Sequence, residues 1–186
     1  MKKPEGYDQA QIFDGEFKSI TPGGHICQIK GAKTELTHNG DEMLVIMFDI
    51  CEGENKGFYA DQFKSRTPTN SNAKWPGVFR QGVTGKGISF LKGMITAIEE
   101  SNSGYKWNWE EKTLTNKLFG GVFGQEEWEN QDGDTKLSTK LVFIRSVEAV
   151  KKGVKVPEIK RLKGSISNGI AESFGKEVFP EEEIPF

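Results

Sequence analysis

The sequence predicts a mainly β fold: a five-stranded antiparallel barrel with one helix between its third and fourth strands, followed by a flexible tail. Three observations carry that prediction. Apolar and polar residues alternate in several runs bounded by Gly, Asn and Asp, as half-buried strands require. One stretch only, Ile88, Leu91, Met94, Ile95 and Ile98, repeats at helical spacing. From residue 163 onward small and polar residues carry the chain to an acidic end with nothing to pack against.

The elements follow in order. Residues 1–22 are polar with Tyr7, Phe13 and Phe17 interspersed, and read as an arm that packs onto the domain. Strand one occupies residues 23–36, with Cys27 and Ile29 on one face and Gly31 marking a bulge. Thr37-His38-Asn39-Gly40-Asp41 has the Asn-Gly chemistry of a hairpin turn. Strand two, residues 43–51, places Leu44, Ile46, Phe48 and Ile50 on one face, and residues 58–63 read as strand three. A long polar loop is expected over residues 64–84, and loops of that length are often functional. Thr84 is the expected N-cap of the helix, which Ser101-Asn102-Ser103-Gly104 stops. Tyr105-Lys106-Trp107-Asn108-Trp109 alternates as an extended segment would. Strand four spans 117–128, with Gly120, Gly121 and Gly124 permitting strong coiling. Strand five spans 136–147, with Leu137, Leu141, Phe143 and Val147 on one face, and a basic extension with Pro157 runs over 150–162. A three-stranded meander, a helix and a final hairpin form the element order of the OB-fold, a Greek-key barrel. The predicted organisation is one domain over 1–162, N-terminal arm included, and a tail over 163–186.

At 186 residues the chain can bury a core without metal or disulfide support. Cys27 and Cys51 lie in predicted strands with no partnering His, and read as small buried hydrophobes of a reducing compartment. No apolar leader follows Met1-Lys2-Lys3, and no segment reaches the roughly 20 apolar residues of a membrane span, so an intracellular protein with no membrane partner is expected. The net charge of -2 conceals a division. Residues 1–170 hold 24 basic against 22 acidic side chains, and residues 171–186 hold one against five, so body and tail have opposite sign. Residues 56–92 carry seven basic side chains against Asp61, and residues 151–163 carry six against Glu158. Clustering of this kind weighs more than the sequence pI of 5.8 in judging contact with nucleic acid.

Several constellations fail as catalytic or cofactor sites. Gly82-Val83-Thr84-Gly85-Lys86-Gly87 resembles a phosphate loop, but Arg80 stands where the first Gly belongs and Gly87 where Ser or Thr would hold magnesium. The glycines read instead as a flexible approach to the helix, with Lys86 placed to meet a backbone phosphate or simply solvated. Glu126, Glu127, Glu129, Asp132 and Asp134 lack the spacing of a calcium loop, and an exposed hairpin explains them. His25 and His38 are too isolated for metal or triad chemistry. No enzyme, metal or cofactor is expected.

What remains is basic side chains interleaved with aromatics. Tyr59, Phe63, Lys64, Arg66, Lys74, Trp75, Phe79, Arg80 and Lys86, together with Tyr105 and Trp107, form the expected nucleic-acid contacts. Aromatic faces stack on bases whatever the sequence, and Lys and Arg follow the phosphates. The competing reading is that some of these rings fill the core, and that Tyr105, Trp107 and Trp109 cover a barrel end.

The terminal Glu181-Glu182-Glu183-Ile184-Pro185-Phe186 joins three carboxylates to two apolar anchors stiffened by Pro185, a docking tag for a basic pocket with an apolar floor. It resembles the acidic tip of bacterial single-stranded DNA-binding proteins, with Glu where those mostly use Asp. The rest of the chain is similar to single-stranded DNA-binding proteins encoded by phages of Gram-positive bacteria. The residues that carry the likeness are Pro22-Gly23-Gly24, Ile50-Cys51-Glu52-Gly53 with Gly57-Phe58-Tyr59, the run from Gly104 through Trp109, Leu118-Phe119-Gly120-Gly121-Val122-Phe123-Gly124, and Ile184-Pro185-Phe186. The resemblance implies an OB-fold protein of the bacterial host cytoplasm that coats single strands during replication or recombination and recruits partner proteins through its tip. The charge division further implies that the tail competes with DNA for the basic face. The alternative expectation is an adaptor whose barrel binds a peptide; homo-oligomerisation and DNA against RNA preference stay open.

Overall fold

Alternation along the strands is realised as one five-stranded antiparallel sheet in the order β3-β2-β1-β4-β5. A computed structural model describes residues 1–3, 7–8, 18–67 and 70–162, so the arm residues Phe13 and Phe17, the tail and its acidic tip lie outside the described residues. The elements are β1 (Gly23–Leu36), β2 (Glu42–Ile50), α1 (Phe58–Arg66), β3 (Val78–Gly82), α2 (Gly87–Ser101), a 3-10 turn (Glu111–Leu114), β4 (Leu118–Glu129), β5 (Thr135–Arg145) and α3 (Val147–Lys152). A mainly β fold with a helix between the third and fourth strands is therefore what forms. No helix among the described residues is long and apolar enough to cross a membrane.

The inward face of β2 is the predicted one: Leu44, Ile46, Phe48 and Ile50 all enter the core. There Phe48 meets Tyr59, Phe119 and Phe123 edge-on, with centroids 5.2, 5.7 and 6.2 Å away. The register of β1 on β2 shifts between Ile29 and Gly31, the bulge that Gly31 announces. Ile20 at the end of the arm is buried in the same core.

Residues 58–63 correct the prediction, because they form helix α1 rather than a strand. Gly57, at φ 76°, turns the chain out of the sheet direction. The buried carboxylate of Asp49 then accepts hydrogen bonds from the first backbone amides of the helix, Tyr59 N at 3.0 Å and Ala60 N at 3.3 Å. Tyr59 and Phe63 stand four residues apart, so one helical face carries both rings. The third strand lies instead inside the predicted loop, at Val78–Gly82, paired with Met43–Met47 of β2.

Helix α2 buries Leu91, Met94, Ala97 and Ile98 against the sheet and packs on β3, β4 and β5, with Ile95 half-buried, whereas Ile88, expected on the same face, is 55% exposed at the start of the helix. Its cap differs from expectation. The helix begins after Lys86 with no side-chain cap, and a turn in which Gly87 N reaches Thr84 O at 2.9 Å supplies the entry. At its other end Asn102 binds Ile98 O at 2.7 Å and exchanges two hydrogen bonds with Leu118, fixing the helix to the start of β4.

Helix α3, absent from the sequence reading, has Ser146 as a side-chain N-cap to Ala149 N and Glu148 in its first turn. It explains three glycines by close approach. A Cβ on Gly120 would lie 2.4 Å from Val150 Cγ2 and 2.7 Å from Ser146 O; one on Gly24 would meet Val150 at 2.8 Å; one on Gly124 would meet Pro157 at 3.1 Å. The helix and the extended segment after it thus lie directly on the outer face of β1 and β4. Gly120→Ala is expected to cost about 1–3 kcal/mol through overpacking, read as a lowered urea midpoint with an unchanged m-value. Further on, Lys160 pairs with β4 through Lys160 N to Gln125 O and Glu127 N to Lys160 O, each 2.9 Å.

Candidate nucleic-acid interface

The predicted contact residues do not form one surface. Tyr59 belongs to the core: it is 8% exposed, its ring meets Phe48 edge-on, and burial pushes its phenol far above the ordinary range. Phe63 and Trp75 pack on each other at 5.5 Å, and Trp75 donates its indole N–H to Phe48 O at 2.8 Å, so both are half-buried supports of the strand edge. Lys64 and Arg66 end α1 on its exposed side, Lys64 at 4.0 Å from Asp61.

On β3, Phe79 and Arg80 are neighbours that point to opposite faces of an edge strand. Phe79 pairs with Ile46 and packs against the core, whereas Arg80 pairs with Val45 on the outward face and is exposed. Lys74 is exposed in the loop before β3, and Lys86 is exposed before α2.

Tyr105 and Trp107 lie half-buried near the 3-10 turn, packed against the core cluster. The Tyr105 hydroxyl is 3.0 Å from Thr113 Oγ1, with Lys117 Nζ 4.3 Å above the ring. Trp107 donates to Glu110 O at 3.1 Å and carries Trp109 at 4.7 Å. The more open indole is Trp109, 74% exposed and held at φ 69°.

The structure adds a groove that the sequence reading did not assemble. Phe79 and Gln81 of β3, Phe90 and Gly93 of α2, and Val142, Phe143 and Arg145 of β5 line it. Beyond Phe143 and Arg145 it continues between Val122 of β4 and Lys155, Val156 and Glu158 of the segment after α3. Phe90 is 62% and Phe143 41% exposed, and the Arg145 guanidinium lies 5.5 Å from the Phe143 centroid. Nothing lies within 4 Å of where a Gly93 side chain would begin, so the floor stays open.

Of the expected inward face of strand five, Leu141 alone packs against the core: Leu137 is 52% exposed, Val147 begins α3 beyond the end of the strand, and Phe143 faces outward for a specific reason. The β4–β5 register breaks between Val122 and Phe123: Phe123 opposes Leu141, Val122 opposes Phe143, and Val142 is the extra residue. One inserted residue reverses the alternation, turning Phe143 out while Ile144 stays in the core.

The electrostatics divide along the same lines. Among the described residues, Lys86, Lys92, Arg145 and Lys155 take part in no ion pair. The acidic hairpin is partly neutralised from within: Glu126 faces Lys140 at 3.5 Å and Lys160 at 3.7 Å, and Glu127 faces Arg161 at 4.0 Å. Of the cations that the sequence counts together in residues 151–163, Lys152, Lys160 and Arg161 are paired internally while Lys155 lines the groove. Burial pushes the Cys27 thiol well up, which leaves it unreactive. The described residues contain no cluster of His, Cys, Asp or Glu that could hold a metal ion.

The geometry suits an extended, flexible polyanion with planar apolar groups. Exposed rings offer stacking faces, unpaired cations flank them, and no deep enclosed pocket is needed. No known family matches the chain, and no curated protein is significantly similar to it.

Proposed function

We propose that this chain binds single-stranded DNA with little sequence preference, protecting it during replication or recombination, and that it performs no catalysis. The observation that carries the reading is the groove in which Phe79, Phe90 and Phe143 lie beside Arg145 and Lys155, neither of which takes part in an ion pair among the described residues. Bases stack on the rings, and phosphates follow Lys86, Lys92, Arg145 and Lys155. Sequence independence follows from chemistry, because every base has a π-face and a ring stack reads no hydrogen-bonding edge.

The fold assignment that accompanies this reading is an OB barrel. Its support is topological: β1 pairs with both β2 and β4, β3 and β5 are the two edges, and the helix between β3 and β4 packs on both of them. In this reading α2 replaces part of the β3–β5 closure, and the groove opens where strand pairing is missing. The tail, with its resemblance to the tip of bacterial single-stranded DNA-binding proteins, recruits partner proteins while the barrel holds the strand.

Titrating the full chain with oligo-dT and oligo-U at several salt concentrations tests the proposal. The expected result is binding whose logarithmic affinity falls with log[salt] by about 0.7 per neutralised phosphate. A peptide-binding adaptor would show no affinity for either oligonucleotide at low salt, and that outcome removes the reading.

A further inference from the structure

The outer face of β1–β3 holds a second, smaller constellation with a different state of charge. Lys33 and Glu35 are two residues apart on β1 and therefore project to the same side of the sheet. Lys33 is in register with Val45 on β2, and Val45 with Arg80 on β3, so the two cations flank one strand position. Val45 is 1% exposed, yet it is absent from the inward core cluster that takes both of its neighbours, Leu44 and Ile46. Lys33 and Arg80 are its register partners on either side, and long aliphatic stems of this kind cover apolar surface. Glu35 closes the arrangement, with Oε1 at 2.6 Å from Lys33 Nζ and Oε2 at 3.9 Å from Arg80 Nε.

One carboxylate thus lies between two cations on the outer face of the sheet. We propose that Lys33 and Arg80 form a phosphodiester seat for single-stranded DNA, and that Glu35 fills it until the DNA backbone displaces it. The proposal rests on the reading of the chain as a single-stranded DNA-binding protein.

Two observations favour a displaceable occupant over a fixed structural pair. Both cations keep 56% of their side-chain surface exposed, so an incoming phosphate reaches them directly. The pair is not buried, and exposed pairs of this kind contribute little to stability, so opening it costs little. The seat lies across the edge strand from the groove: Arg80 and Phe79 are consecutive on β3 and point to opposite faces, so a DNA strand that stacks a base near Phe79 reaches Arg80 by passing around that edge.

The charge on Glu35 is secure. The hydrogen bond from Lys33 holds its carboxyl below the usual carboxylate range, with the Lys33, Arg80 and Lys74 charges adding to the effect. Glu35 therefore acts as a fixed repulsive element that limits affinity and favours release, rather than as a proton switch.

The test compares wild type, Glu35→Gln and Glu54→Gln in oligo-dT titrations at low and moderate salt. Glu54 lies in the exposed turn after β2, so its substitution makes the same change in net charge away from the seat. Glu35→Gln is expected to tighten binding several-fold at low salt while Glu54→Gln leaves it near wild type. Adding Arg80→Ala to Glu35→Gln is expected to abolish that gain. Equal effects of Glu35→Gln and Glu54→Gln, or no gain from Glu35→Gln in a wild type that binds, overturn the seat and leave the DNA reading intact. Absence of oligo-dT binding by all variants overturns both.

Discussion

Replacing Phe90 and Phe143 together with alanine is expected to weaken oligo-dT binding at least about 30-fold at fixed salt. Each base stacked on an aromatic contributes about 1–3 kcal/mol, and 1.4 kcal/mol is tenfold in affinity, so loss of two rings costs about 2 kcal/mol at the least. The substitution separates binding from folding unusually well. Phe90 and Phe143 are 62% and 41% exposed, so removing them opens no core cavity. The double variant should melt close to wild type while losing affinity, and its salt slope should stay near the wild-type value because no cation is removed. Fluorescence anisotropy with a labelled oligonucleotide, alongside a thermal melt, reads both quantities. A folded double variant that binds as wild type would remove the groove from the interface. Arg145→Gln supplies the complementary reading, a shallower salt slope with the rings intact, because it deletes a cation rather than a stacking face.

The parts of this fold that were legible in the sequence are those fixed by neighbours along the chain. β1 and β2 follow from alternation plus the Asn39-Gly40 turn, where Gly40 takes φ 86°. β4 and β5 follow from the same logic around Gly133, at φ 83°. The illegible parts depend on contacts distant in sequence. Phe58-Tyr59-Ala60-Asp61-Gln62-Phe63 fits a strand by alternation and a helix by the spacing of Tyr59 and Phe63, and Asp49 from another element decides between them. Val78–Gly82 is short and contains Arg80 and Gln81, as an edge strand with one open side permits. The candidate site was legible as composition and illegible as geometry. The basic run at 151–163 is visible in the sequence, yet only α3, lying on Gly120 and Gly24, brings Lys155 to the cleft beside Arg145. Alternation alone places Phe143 inward, because a bulge leaves no mark in the sequence of the bulged strand.

The same dependence on a distant residue makes Asp49→Ala the most informative stability variant. Asp49 is 4% exposed, and its carboxylate accepts from Ile50 N at 2.9 Å as well as from Tyr59 N and Ala60 N. Alanine leaves these amides without that acceptor beneath the sheet, and the expected loss is roughly 2–3 kcal/mol from the buried donors and the lost helix cap. Asn keeps one acceptor oxygen, so Asp49→Asn should lose less than half as much. The consequence extends beyond α1 itself. Tyr59 on α1 packs over Gly77, where an added Cβ would lie 2.7 Å from the Tyr59 ring and 2.3 Å from Phe48 O. Gly77 O in turn accepts from Phe48 N at 2.8 Å, the bond that starts the pairing of the β3 segment with β2. A loosened α1 should therefore release the start of β3, and with it the wall of the groove that carries Phe79. Amide exchange resolves the order of events: protection should fall first at α1, then at Val78–Gly82, and last at β1 and β4. Full protection of α1 in Asp49→Ala would mean that Gly57 and the Tyr59–Phe63 face suffice to hold the helix. In that case the choice between strand and helix at residues 58–63 would be local after all.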